Sequence, residues 1–167
     1  AITLTELQKS FAAPTLRQAL KDSKSTRLFN IELKSHLISD SLARKVAAVI
    51  KEEKAENRVM FSSFNPFALW FMQNYLPKVP RALLVTHVND VENRWYLRTM
   101  IGAPMIKIHM LNLDQKMLTT ERLVELREQK IPFSVWTVND LARAKQFLQA
   151  GARSIISDSI TTDLFQS

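Results

Sequence analysis

The sequence predicts an α/β chain of parallel strands alternating with helices, either an open doubly wound sheet or part of a (β/α)8 barrel. Three observations carry this expectation. Six short apolar segments recur along 167 residues, segments of helical period lie between them, and helix-start signals stand at the joints. The apolar segments begin about one βα unit apart.

The apolar segments are residues 28–33 (LFNIEL), 59–64 (VMFSSF), 82–88 (ALLVTHV), 105–110 (MIKIHM), 133–138 (FSVWTV) and 154–157 (SIIS). They are rich in β-branched and aromatic residues, as strands are. Parallel strands are covered on both faces, so they read as apolar runs rather than strict alternations. Between them, Ala43, Val46, Ala47 and Ile50 repeat at i, i+3, i+4, i+7, the spacing of one helix face. Leu141, Ala144 and Leu148 do the same later.

Helix boundaries are written into the joints. Thr15 followed by Gln18 is a capping box, predicting a helix through Leu20. Asn65-Pro66 sets an N-cap before a proline at the first helical position. Thr119 or Thr120 precedes Glu121, and Asn139 or Asp140 precedes Leu141. Gly151 stands where a helix C-terminus enters the left-handed region. Residues 1–14 read as a lead-in. A full barrel takes about 250 residues, so six strands in one domain of this length fall short of closure.

Composition narrows the chemistry. With no cysteine there is no disulfide framework, Cys-ligated zinc or thiol nucleophile. Two glycines, Gly102 and Gly151, cannot write a dinucleotide-binding or P-loop motif. The longest apolar run, around residues 67–72, is far below the roughly 20 residues of a membrane span. The net charge of +7 is spread along the chain with no concentrated basic stripe, so a nucleic-acid partner is not expected. The lack of cysteine fits cytoplasm and periplasm equally. The chain starts at Ala1 without an initiator Met, and is read as a processed or truncated product.

In parallel α/β folds, chemistry gathers at the carboxyl ends of strands. Asn30, Glu32 and Lys34 share one face of the first strand. Charge there is costly to bury without a partner. Glu32 suits a hard cation and Lys34 a phosphate oxygen. A Glu–Lys pair, or a strand end open to water, explains them equally. Ser63 suits an anion contact or a turn, and Trp136 a pocket wall or plain core. Asn139 reads most simply as a helix cap, and Asp158 as a cap or cation partner. His36, His87 and His109 show no metal-binding spacing. Each reads first as structural or exposed, although the strand phase that His109 shares with Lys107 points to the barrel interior, and His87 lies late in its strand, toward the mouth. Met100, Met105 and Met110 read as core fillers.

Taken together, Ala13-Pro14-Thr15-Leu16, Asn30-Ile31-Glu32-Leu33-Lys34, Phe61-Ser62-Ser63-Phe64-Asn65-Pro66, Val135-Trp136-Thr137-Val138-Asn139 and residues 151–158 (GARSIISD) resemble the glycerophosphodiester phosphodiesterase family in order and spacing. Thr3-Leu4-Thr5-Glu6-Leu7 resembles the segment just upstream. The resemblance implies a partial (β/α)8 TIM barrel of about six parallel strands, with the first two βα units missing. It implies hydrolysis of glycerophosphodiesters to glycerol 3-phosphate and an alcohol, with Mg2+ or Ca2+ as cofactor. Glu32 then corresponds to a metal-binding carboxylate. Lys34 corresponds to a catalytic substrate-phosphate contact, and Phe64 and Trp136 to pocket-wall aromatics. The family's His-Arg-Gly, Glu-Asn-Thr, Glu-x-Asp and His-Asp elements have no counterpart here. Their absence removes the acid–base histidines and two metal carboxylates, so this chain alone is expected to be nearly inactive. The expected partners are the substrate and either the missing amino-terminal part of the barrel or a second copy. The competing expectation is a non-catalytic assembly module acting through open sheet edges.

Overall fold

The computed structural model describes residues 14–22, 28–35, 37–86 and 106–161. Thr3 to Leu7, His36, His87, Met100, Gly102 and Met105 lie outside them.

The first described element is α1 (Leu16–Asp22), followed by β1 (Phe29–Glu32), α2 (Ser41–Glu52), β2 (Val59–Ser63) and α3 (Pro66–Tyr75). Then come β3 (Arg81–Val85), β4 (Met110–Asp114), α4 (Thr120–Glu128), β5 (Phe133–Trp136) and α5 (Leu141–Gln149). Short 3-10 turns at Glu56–Arg58 and Gln115–Met117 lead into β2 and follow β4.

All five strands are parallel and their spatial order is their chain order. This decides between the two architectures. A doubly wound sheet reverses strand order at a switch point, whereas a (β/α)8 barrel adds each strand beside the last. The chain is a partial TIM barrel.

Register separates the two faces. Glu32 pairs with Ser62, Ser62 with Ala82 and Ala82 with Met110. Asp114 pairs with Trp136 in the same phase. The opposite face is apolar. Val59, Phe61 and Leu83 pack with Ala43, Ala47 and Ile50 of α2 and Leu69 and Met72 of α3. Leu113, Phe133 and Val135 pack with Leu126 of α4 and Ala144 and Phe147 of α5. Each fully buried large side chain in these clusters contributes about 2 kcal/mol. The other face is the barrel interior and carries polar groups. Ser62 and Asn112 are buried there, with no hydrogen-bond partner for their side chains among the described residues.

The predicted helix boundaries hold with local differences. Thr15 and Gln18 form the capping box, each backbone N–H donating to the other's side-chain oxygen at 2.8 and 3.2 Å. The α1 helix runs to Asp22, two residues beyond the expected end. Asn65, Thr119 and Asp140 cap α3, α4 and α5. After α5, Gly151 adopts φ +104°. The amides of Gly151 and Ala152 then return to the Leu148 and Phe147 carbonyls, a Schellman closure. On α5 the inward side chain is Phe147 and not Leu148, which is exposed.

Two strand expectations are corrected. The fourth strand is Met110–Asp114, not 105–110. Its inner face carries Asn112 and Asp114, and these polar residues disguised the strand as a loop. The Ile108 amide instead turns back to the Ile106 carbonyl. The segment 154–157 makes a single parallel bridge, Ile155 to Val135, in place of a full sixth strand. No helix among the described residues is long and apolar enough to cross a membrane.

Candidate functional site

Four side chains singled out in the sequence stand at the carboxyl ends of β1, β2 and β5. Glu32 closes β1 on the interior face, and Lys34 follows two residues on. Both are exposed, while Leu33 between them is buried. Among the described ion pairs neither residue takes part, so the internal Glu–Lys pair is not formed. Glu32 and Lys34 line one notch together with Ser63, Phe64 and Asn65. The notch measures about 10 Å³, room for a single water.

Phe64 and Trp136 come from strands three places apart, yet they meet. Their ring centroids are 5.7 Å apart at 85°, an edge-to-face contact. The Trp136 indole Nε1 donates to the Asn112 carbonyl at 2.9 Å, which fixes the ring. Gln115 donates to the Thr137 carbonyl beside it. The aromatic pair therefore spans the mouth above the buried polar side chains of Ser62 and Asn112.

The loop between β2 and α3 holds the charged strand end. Ser63 Oγ donates to the Leu33 carbonyl at 2.7 Å and accepts from the Asn65 amide at 3.0 Å. This is the turn role, the one of the two readings of Ser63 that the structure bears out. Asn65 Oδ1 accepts from the Phe67 amide at 3.0 Å, while its Nδ2 donates to the carbonyls of Ser35 and Leu37 at 2.9 and 3.2 Å.

Other residues find structural work. Asp114, at the end of β4, is buried; it accepts from Thr86 Oγ1 and from the Lys116 amide, both at 2.9 Å. Sequence reasoning missed it because the strand was placed too early. Asn139 is not a cap. It ties the end of β5 to the 154–157 segment through the Asp158 amide and Ser157 hydroxyl, both at 3.0 Å. Met110 is half-buried and accepts from Ser134 Oγ.

His109 is also corrected. It precedes β4 at the amino-terminal end of the sheet, far along the strand from the mouth, in phase with Leu111 on the helix-packed face. Its Nδ1 accepts from the Arg81 amide at 3.2 Å. Burial, together with the nearby charges of Arg81 and Lys107, holds its pKa below the ordinary histidine value. Protonation is then easier in the unfolded chain. This contribution is complete above about pH 6.5 and is lost as pH falls through the lowered value. Urea unfolding between pH 7 and 5 should show it. His109→Asn keeps an acceptor without titrating and should flatten the decline; an unchanged slope would assign it to other groups.

A singly wound, all-parallel half-barrel with charged and aromatic side chains gathered at its strand ends defines a (β/α)-barrel protein whose site lies on the carboxyl-terminal face. The family model of the Glycerophosphoryl diester phosphodiesterase family matches residues 7–162, and the chain belongs to that family. An uncharacterized Bacillus subtilis protein is 29% identical over 136 residues, covering 81% of this chain and 54% of that protein. A glycerophosphodiester phosphodiesterase of Caldanaerobacter subterraneus is 26% identical over 137 residues, covering 81% and 53%. The chain thus spans about half the length of the curated relatives it matches. An Oleispira antarctica phosphodiesterase solved with the product sn-glycerol-3-phosphate shares the fold. Its TM-score is 0.65 at 21% identity, with 87% of this chain and 57% of that chain covered.

Proposed function

We propose that this chain is one incomplete domain, residues 1–167, of a phosphodiesterase barrel that hydrolyses glycerophosphodiesters to glycerol 3-phosphate and an alcohol. The reading rests on family membership and on one observation: Glu32, Lys34 and Phe64 line a single notch at the strand ends, with Trp136 against Phe64. Lys34 serves as a mobile point charge for the non-bridging phosphoryl oxygens and offsets charge that builds as the alcohol leaves. Phe64 and Trp136 wall the pocket and keep water from the reacting phosphate.

The divalent cation implied by the family does not fit the described residues alone. No three His, Cys, Asp or Glu side chains among them gather into a metal cage. Glu32 is a single carboxylate, and Asp114 already has a partner on each oxygen. Hard cations take about six or more oxygens. Dependence on Mg2+ or Ca2+ belongs to the closed barrel, with Glu32 as one ligand among several.

The test is release of glycerol 3-phosphate from glycerophosphocholine with Mg2+ or Ca2+, by this chain and by a barrel completed with the preceding half of a relative. Little turnover is expected from the chain alone and robust turnover from the completed barrel. Fast hydrolysis by the chain alone would overturn the division of labour.

A second reading is favoured by the β1 edge. Among the described residues β1 pairs only with β2, and Leu28, Leu37 and Ile38 on its flanks are 61%, 71% and 66% exposed. An open parallel edge beside apolar side chains pairs with another chain. Light scattering should report self-association that rises with concentration. A monomer at high concentration would remove this reading.

A further inference from the structure

The side chain of Asn65 is divided between two tasks. Its oxygen caps α3 through the Phe67 amide. Its nitrogen reaches back about thirty residues in sequence to the carbonyls of Ser35 and Leu37. Ser63, also buried, holds the Leu33 carbonyl and receives the Asn65 amide. Lys34 therefore lies between two carbonyls anchored to the next βα unit, one residue before it and one after. Lys34 itself is exposed and outside every described ion pair.

We infer that Asn65 is a positioning residue: its side chain holds the backbone after Lys34, while Ser63, which receives the Asn65 amide, holds the carbonyl before it, so that the ammonium is presented to a phosphate group at the mouth. The inference rests on the phosphate reading given above and adds the device that orders the ligand. A lysine side chain loses rotamer entropy when it is ordered. On a freely moving loop, ordering the backbone would add a further entropic cost at each residue. Anchoring three alternate carbonyls meets that second cost during folding. Asn65 is 3% exposed, so its amide does not exchange these partners for water. Only an amide performs both tasks, because a carboxylate accepts but cannot donate.

Asn65→Asp separates the two. Aspartate caps a helix as well as asparagine does, so α3 should keep its amide protection. The Ser35 carbonyl loses the Asn65 donor, the Leu37 carbonyl keeps only the Ser35 hydroxyl at 3.3 Å, and both meet a carboxylate. Backbone 15N order parameters should fall at residues 34, 35, 37 and 38, while amide exchange remains slow in α3. Titration with sn-glycerol 3-phosphate, followed by NMR, should give affinity roughly tenfold weaker than that of the unsubstituted chain, the loss expected from about 1.4 kcal/mol. Ser63→Ala should weaken binding in the same direction. Asp140→Ala, which removes a cap far from Lys34, should not. Unaltered order parameters at residues 34, 35, 37 and 38 of Asn65→Asp would overturn the inference, and so would unaltered affinity with the loop released. Failure of the unsubstituted chain to bind would instead overturn the phosphate reading on which the inference rests.

Discussion

In a barrel completed around this chain, Lys34→Met is expected to lower kcat/KM for glycerophosphocholine by roughly 100- to 1,000-fold, the effect of removing one group that stabilises developing charge. The stability of the protein should not change. Lys34 is exposed and outside every described ion pair, and such surface substitutions stay within about 0.5 kcal/mol. Loss of turnover without loss of melting temperature is the mark of a residue that touches substrate. Glu32→Gln should differ in kind. It keeps size and hydrogen bonding but removes the charge, and should raise the Mg2+ or Ca2+ concentration for half activity by roughly tenfold or more, because ligand charge sets affinity for hard cations. An unchanged metal requirement would exclude Glu32 as a ligand. Together the two variants assign the neighbours different roles.

The largest effect on folding is expected at Arg81, the largest of the fully buried side chains and only 1% exposed. No described carboxylate pairs with it. Its guanidinium donates instead to backbone carbonyls: Val79 at 2.8 Å, Leu76 at 3.3 Å, Pro77 at 3.4 Å and, through Nε, Lys107 at 3.3 Å. These carbonyls close the turn after α3 and the approach to β4. Burial lowers the pKa of the guanidinium, the direction expected of a cation held by dipoles without a counter-charge. Arg81→Leu removes the donors and leaves the carbonyls inside. Hydrogen bonds to charged groups contribute about 1.5–3 kcal/mol each, with partial overlap among them. A loss of about 3 kcal/mol is expected, or roughly 6–12 °C in melting temperature. Arg81→Lys should fall between, since one ammonium cannot span the same fork of acceptors. A change below about 0.5 kcal/mol in Arg81→Leu would show that the carbonyls find other partners.

Local signals carried much of the fold. The capping box at Thr15, Asn65 before Pro66, and Gly151 each act within a few residues, and the structure places helix ends beside them. The period of α2 and the apolar runs of β2, β3 and β5 were equally plain, because burial writes them directly. The strand β4 was misplaced because its inner face looks into a barrel, where Asn112 and Asp114 suit the interior but break an apolar run. Periodicity alone left doubly wound sheet and barrel open, since strand order is a tertiary property; the family resemblance pointed to the barrel, and the strand order bears it out. At the site, Glu32 and Lys34 were visible as charges out of place in an apolar strand, and Trp136 as a large ring at a strand end. Their grouping was not visible: Phe64 meets Trp136 across 72 positions, and Asn65 reaches Ser35 across 30. Half of the Asn65 side chain was legible as a cap, and the half that holds the Ser35 and Leu37 carbonyls was not.

The most direct measurement is a chemical-shift map of the 15N-labelled chain titrated with sn-glycerol 3-phosphate. A phosphate site at the strand ends predicts shifts gathered at the amides of residues 32–35 and 63–65 and at the Trp136 indole, abolished by Lys34→Met. Shifts gathered instead at the opposite end of the sheet, where Arg127, Lys130 and Arg153 line a groove of about 340 Å³, would contradict it.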